Sequence, residues 1–226
     1  FVDGLISPAI GINTTLPIQP NRGVNVMFPN RAFILICAVV LGACQSHSRP
    51  DSSQKMTHSM ASPTAEQVAR ALNLEQHVEG GYFRRTYQAD HRPMLESPEG
   101  ERHLMTSIFY LLTDQSPVGH FHLNRSDIVH YYHRGDPIRY YLIHPSGELE
   151  TIVLGQNVTQ GQRLQLTVKG GTWKASQLLD GVAGYGLISE AVSPGFDYAD
   201  MTLGTEQRLT DAFPQHSELI KALTGE

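Results

Sequence analysis

The chain has 226 residues, 40% of them hydrophobic and 17% charged, with a formal net charge of −5. That is the composition of a globular protein long enough for one large domain or two small ones; with no Lys/Arg cluster to neutralise phosphates, nucleic-acid binding is disfavoured. Both cysteines, Cys37 and Cys44, lie near the start, so everything after residue 44 is without disulfide or thiolate chemistry.

Residues 1–26 begin with Phe1 rather than Met and show no periodicity; they are read as an artefactual or unstructured extension. Residues 27–44 are read as a lipoprotein signal peptide. Met27 and Arg31 precede an apolar run, 32–41, too short to span a bilayer, and Leu41-Gly42-Ala43-Cys44 resembles a bacterial lipobox whose Cys44 is lipidated. Residues 45–61 form a polar linker. This predicts a domain held at the bacterial cell envelope by a lipid anchor rather than by a spanning segment. The alternative is a cytoplasmic protein started at Met56 or Met60.

The domain is expected over 62–226. Ser62-Pro63-Thr64-Ala65-Glu66 has a capping residue, a proline at the first helical position and an acid in the first turn, with Val68, Leu72 and Leu74 as the apolar stripe. Glu79-Gly80-Gly81 is a turn, 82–87 a strand, 91–101 a loop and 104–112 a long apolar strand. Short β runs then follow at 119–123, 128–132, 138–143, 149–154, 164–168, 173–177 and 185–192. Turn residues such as Gly135-Asp136-Pro137 and Lys169-Gly170-Gly171 separate them. Many short strands at this spacing mean a sandwich or barrel. Residues 217–223 make a closing amphipathic helix.

The chemistry-bearing stretch is Gly119-His120-Phe121-His122-Leu123-Asn124-Arg125-Ser126-Asp127, followed by His130 on the next strand. Alternation along one strand sends the His120 and His122 imidazoles to the same face. His130 shares a face with Ile128 and Tyr132, while Asp127 sits at the turn with its direction open.

Glu79-Gly80-Gly81-Tyr82-Phe83-Arg84, His120-Phe121-His122, Ser126-Asp127, Gly135-Asp136-Pro137, Gly155-Gln156-Asn157-Val158 and Ser193-Pro194-Gly195-Phe196-Asp197-Tyr198-Ala199-Asp200 together resemble the small single-domain cupins of unknown function. The resemblance runs from about Glu66 to the C-terminal helix. It implies an all-β, cupin-type double-stranded β-helix (a jelly-roll barrel) with a short N-terminal and a C-terminal helix, similar to deoxysugar-epimerase-like cupins, and a homodimer. It implies no single activity, since this fold hosts many. In the cupin pattern His120, His122 and Asp127 match the His-x-His and acid, but the last histidine falls on Trp173, which ligates no metal. The resemblance therefore points to a metal-free pocket needing no cofactor. The alternative is a divalent ion (Fe, Mn, Ni or Zn) on His120, His122 and Asp127, with His130 as the replacement ligand.

Two functions follow from this pocket, with a metal-dependent cupin enzyme as a further alternative if the divalent ion is bound. One is an isomerase or epimerase acting on a small sugar-like or hydroxy-acid molecule, with His122 or His130 as base beside Asp127 and Tyr132 as acid. The other is an envelope-anchored binding protein without chemistry. In both, the ligand-binding candidates are Tyr82, Arg84 and Arg85, an arginine clamping a carboxylate or phosphate; Trp173 and Lys174, the indole stacking on the ligand; and Phe196 and Asp197 on one lip, with Asp197 or Asp200 paired to Arg84 or Arg85. Trp173 as core filler and the aspartates as turn caps are the bland alternatives.

Overall fold

The structure, a computed structural model, describes residues 62–225. The expected signal segment with Cys44, the linker and the internal start methionines lie outside the described residues. Helix α1 (Ala65–Ala71) opens the domain. Its N-cap is Thr64, not Ser62: the Thr64 hydroxyl accepts from Gln67 N at 3.3 Å and Gln67 Oε1 accepts from Thr64 N at 2.9 Å. Reciprocal capping of two otherwise orphaned donors starts the helix at Ala65, so Pro63 precedes the cap instead of occupying the first helical position.

The strands are β1 (Glu75–Gln76), β2 (Tyr82–Gln88), β3 (Leu95–Ser97), β4 (Gly100–Arg102), β5 (Thr106–Thr113), β6 (Val118–Asn124), β7 (Asp127–Gly135), β8 (Ile138–Ile143), β9 (Leu149–Leu154), β10 (Gln165–Val168), β11 (Trp173–Leu178), β12 (Tyr185–Ser193) and β13 (Met201–Leu203); α2 (Glu206–Ala212) and α3 (Ser217–Leu223) close the domain. The stretch expected as a loop at 91–101 contains the β3–β4 hairpin. Helix α2, capped by the Thr205 hydroxyl, is an additional element that the sequence reading does not predict. Among the described residues no helix is long and apolar enough to cross a membrane.

The long strands form two antiparallel sheets in the orders β1-β2-β5-β12-β7-β10 and β13-β6-β11-β8-β9. Together they make the jelly-roll barrel. Alternation gives each strand an inner and an outer face, and both are apolar over much of their length. Inside, Tyr110, Leu112 and Ile188 of the first sheet meet Tyr140, Leu142 and Leu178 of the second. Outside the second sheet, Phe121, Ile143, Trp173 and Ala175 are covered by Leu209 of α2 and by Ile220 and Leu223 of α3. Outside the first, Leu111, Tyr185 and Leu187 are covered by Val68 of α1. Each fully buried Leu or Ile here is worth about 1.5–3 kcal/mol relative to exposure. The apolar packing leaves one end of the interior to charged and polar side chains.

Candidate active site in the barrel interior

Glu79 is fixed by the turn before β2. Its carbonyl accepts from His120 N at 2.6 Å. Gly80 follows at φ +92°, and a Cβ there would lie 2.2 Å from the Val118 carbonyl oxygen, so only glycine lets the turn sit this close to β6. Tyr110 Oη donates to the Gly80 carbonyl at 2.8 Å. The Glu79 carboxyl then points into the barrel, with Oε2 at 3.2 Å from His122 Nε2 and 3.6 Å from His77 Nδ1. His77 packs edge-on against Phe83 at 4.4 Å between ring centroids.

A carbonyl only accepts, so His122 Nδ1, 2.7 Å from the His120 carbonyl, carries the ring proton of the neutral imidazole. That leaves the Nε2 lone pair facing Glu79. The approach is close but not aligned as a hydrogen bond. His122 Nε2 and Asn124 Oδ1 are two buried polar atoms without a hydrogen-bond partner, and both residues line the cavity. Beside them, Glu190 of β12 has Oε1 at 3.1 Å from His130 Nδ1 and 3.6 Å from Lys174 Nζ. Lys174 Nζ lies 3.5 Å from His130 Nε2, and the Tyr140 hydroxyl 3.3 Å from His130 Nδ1. His130 is 0% and Lys174 4% exposed.

These neighbours set the two carboxyl groups apart. Burial pushes Glu79 up to about 8, opposed by the Lys174 charge and aided by that of Glu190. Burial alone would raise Glu190 too, but Lys174 and His130 pull it below the ordinary carboxylate range. Burial, with the nearby ammonium, drives His122 well below its usual value and lowers His130. At neutral pH the site therefore holds a carboxylic acid, a carboxylate and neutral imidazoles. Two carboxyl groups held in opposite states are what acid–base chemistry would require.

A cavity of about 210 Å³ opens onto this cluster. Its floor includes Glu79, His122, Asn124 and Glu190; Phe83, Ile108 and Ile128 form walls; Arg85, Phe196 and Tyr198 stand at the mouth. A larger hollow of about 420 Å³ runs along α1, but its lining holds Glu66 and Asp114 and no histidine. The smaller cavity is the one lined by the titratable cluster.

Residues 66–204 match the family described as Cupin superfamily (DUF985). The chain belongs to the cupin superfamily. An uncharacterized protein of Saccharomyces cerevisiae is 34% identical over 177 residues, 73% of this cupin and 87% of the yeast chain. A hypothetical protein from Leishmania major has a solved structure that is 36% identical with a TM-score of 0.68, covering 73% of this chain and all of its own (100%). A Shewanella oneidensis protein of known structure is 34% identical with a TM-score of 0.66, covering 73% of this chain and 99% of its own.

The cupin motif residues divide sharply. Lys174 opposes His122 across β6 and β11, yet Ser176 opposes Gly119, so β6 carries a bulge between them. The bulge breaks the alternation on which the His-x-His reading rests. His122 points inward, Phe121 outward, and His120 lies against Gly80 and Gly225, away from the Glu79–Glu190 cluster. Asp127 is exposed at the start of β7, where Oδ1 accepts from Gly170 N at 2.8 Å and pins a turn. Tyr132 donates to the Gly135 carbonyl at 2.5 Å and packs in the apolar interior. Trp173 faces outward beneath the C-terminal helices, with the Arg208 guanidinium 5.4 Å from its ring centroid, so it cannot stack on a barrel ligand.

Of the other ligand candidates, Lys174 is inside and Arg85 and Phe196 are at the mouth, where Arg85 reaches the Phe196 carbonyl at 3.5 Å. Tyr82 packs under α1. Arg84 is on the strand face opposite Phe83. Asp197 caps Ala199 N at 2.8 Å, and Asp200 pairs with Arg102 at 2.6 and 3.1 Å rather than with Arg84 or Arg85.

The donor set does not fit a three-histidine, one-acid metal centre. His120 is turned away, Asp127 lies on the surface, the last motif position is an outward Trp, and a lysine ammonium stands among the inner groups. Among the described residues no three or more His, Cys, Asp or Glu side chains are arranged to hold a metal ion. Sequence reasoning missed His77, Glu79, Tyr110, Tyr140 and Glu190. The available signal was a lone charge in an apolar strand: Glu190 is the only one in β12, as Lys174 is in β11.

Proposed function

We propose that the cavity binds a small carbonyl compound of the hydroxy-acid or sugar-like class and moves a proton on it, as an isomerase or epimerase does. The observation that carries this reading is a carboxyl group held neutral 3.2 Å from an imidazole whose lone pair is free. His122 Nε2 takes the proton from the carbon next to the carbonyl, and Glu79 gives its proton to the carbonyl oxygen. The product is an enediol beside an imidazolium and a carboxylate. The pair passes from neutral–neutral to an ion pair, so the buried site gains no net charge during the step; the Glu79 carboxylate then takes the proton of the neighbouring enediol hydroxyl and the imidazolium protonates the former carbonyl carbon, which completes the isomerisation and restores both groups. The cavity volume is below the ~300–1,000 Å³ of pockets for drug-sized ligands, which favours a short substrate. Arg85 at the mouth suits an anionic group.

The test is hydrogen–deuterium exchange at the α-carbon of short ketoses, aldoses and α-hydroxy acids, followed by NMR in deuterated buffer. Exchange is expected with the parent and falls by about 100-fold or more in Glu79→Gln and in His122→Ala. Exchange that survives Glu79→Gln overturns the assignment. Binding without exchange for every compound would make the protein a small-molecule binding module instead.

A further inference from the structure

The inner residue next to Trp173 is Lys174. Adjacent positions on a strand face opposite ways, so the indole at the last motif position looks out and the ammonium after it looks in. Lys174 Nζ sits 3.6 Å from Glu190 Oε1 and 3.5 Å from His130 Nε2, and shares with Glu79, His122 and Tyr140 a void of only about 10 Å³. That is at the lower limit for one water molecule. A metal ion with its own ligands has no room beside the ammonium, and two cations at this separation in a poorly solvated interior repel strongly. A buried carboxylate, conversely, needs a cation, and among the described residues Lys174 is the lysine or arginine ion-paired with Glu190.

We propose that the Lys174 ammonium is the resident cation of this barrel. It stands between Glu190 and His130, neutralises Glu190, and makes the cavity a metal-independent site. Removing the ammonium leaves the Glu190 carboxylate, with the His130 imidazole 3.1 Å away, uncompensated in a buried space that a divalent cation can then enter. The inference concerns the charge that fills the site and stands independently of the proton-transfer reading.

Cobalt(II) titration of the full chain tests it, with uptake measured by elemental analysis and by ligand-field absorption. Four proteins are compared: the parent, Glu190→Gln, Lys174→Ala, and Lys174→Ala with Glu190→Gln. Folding is checked by circular dichroism. Lys174→Ala is expected to take up about one equivalent more than the parent, and the added Glu190→Gln change abolishes that gain. Parent uptake is expected to be unchanged by Glu190→Gln, which separates the barrel from any binding elsewhere in the chain. A folded Lys174→Ala that gains no cobalt overturns the proposal. So does a parent that loses an equivalent on Glu190→Gln, and this second comparison decides the matter if Lys174→Ala does not fold.

Discussion

Glu79 behaves as the reverse of a surface glutamate, and its protonation leaves a thermodynamic trace. In the unfolded chain it releases its proton near the usual 4.5, whereas in the fold it keeps it to about 8. Between those values the folded state binds more protons than the unfolded one, so stability falls as pH rises and levels off above about 8. His77, His122 and His130 have lowered values and act in the other direction: they weaken the fold only as pH drops below about 6.5, where the unfolded chain takes up protons that the buried rings refuse. Glu190, held below the ordinary range, costs stability in stronger acid still. The window from about pH 6.5 to 8 therefore belongs to Glu79. Across it the parent is expected to lose about 2 kcal/mol, and Glu79→Gln, neutral throughout, to lose none. Urea denaturation at both ends of the window measures this. An equal slope in parent and variant would mean that Glu79 is ionised in the fold.

The Glu79-Gly80-Gly81 turn carries the acid, and its cost can be separated from that of an ordinary left-handed glycine. Gly80 combines φ +92° with the Val118 carbonyl in the space of a Cβ, while Gly171 has φ +83° and nothing within 4 Å. Gly171→Ala should cost about 1 kcal/mol, the conformational penalty alone. Gly80→Ala should cost more by about 1–3 kcal/mol, the overpacking term, because a backbone carbonyl cannot swing aside as a side chain does. Thermal unfolding of the two variants decides it; equal losses would show that the β6 backbone yields. The same level explains what was legible. Periodicity placed β8 and β9 to the residue and put His130 on the face of Ile128, both of which the structure shows. It misplaced His120 because the bulge in β6 is not written in Gly119-His120-Phe121-His122. It arises where Gly119 lies against Ser176 Oγ and Tyr110 Oη, groups brought there by β11 and β5. Glu79 and Glu190 were missed for a related reason: their meeting depends on the pairing of distant strands.

At the scale of the whole molecule, the barrel depends on its outer layers. The β6 backbone that presents His122 inward presents Phe121 outward, and the β11 backbone does the same with Lys174 and Trp173. The five-stranded sheet therefore cannot keep the site in place unless α2 and α3 cover its outer face. Leu209 is the central contact, at 0% exposure against Phe121 and Trp173. Leu209→Ala is expected to cost about 2–5 kcal/mol through lost burial and the cavity left behind. Trp173 is the sole tryptophan, so its emission reports this outer layer, while far-ultraviolet circular dichroism reports the sheets. If the helices and the barrel share one core, both signals move to lower urea together and their midpoints coincide in parent and variant. A tryptophan transition that precedes the loss of sheet signal in Leu209→Ala would show that the helices detach on their own. Coincidence is the expected result, because Phe121, Trp173 and Ala175 belong to paired central strands of the sheet and cannot be exposed without loosening the strands that hold His122 and Lys174.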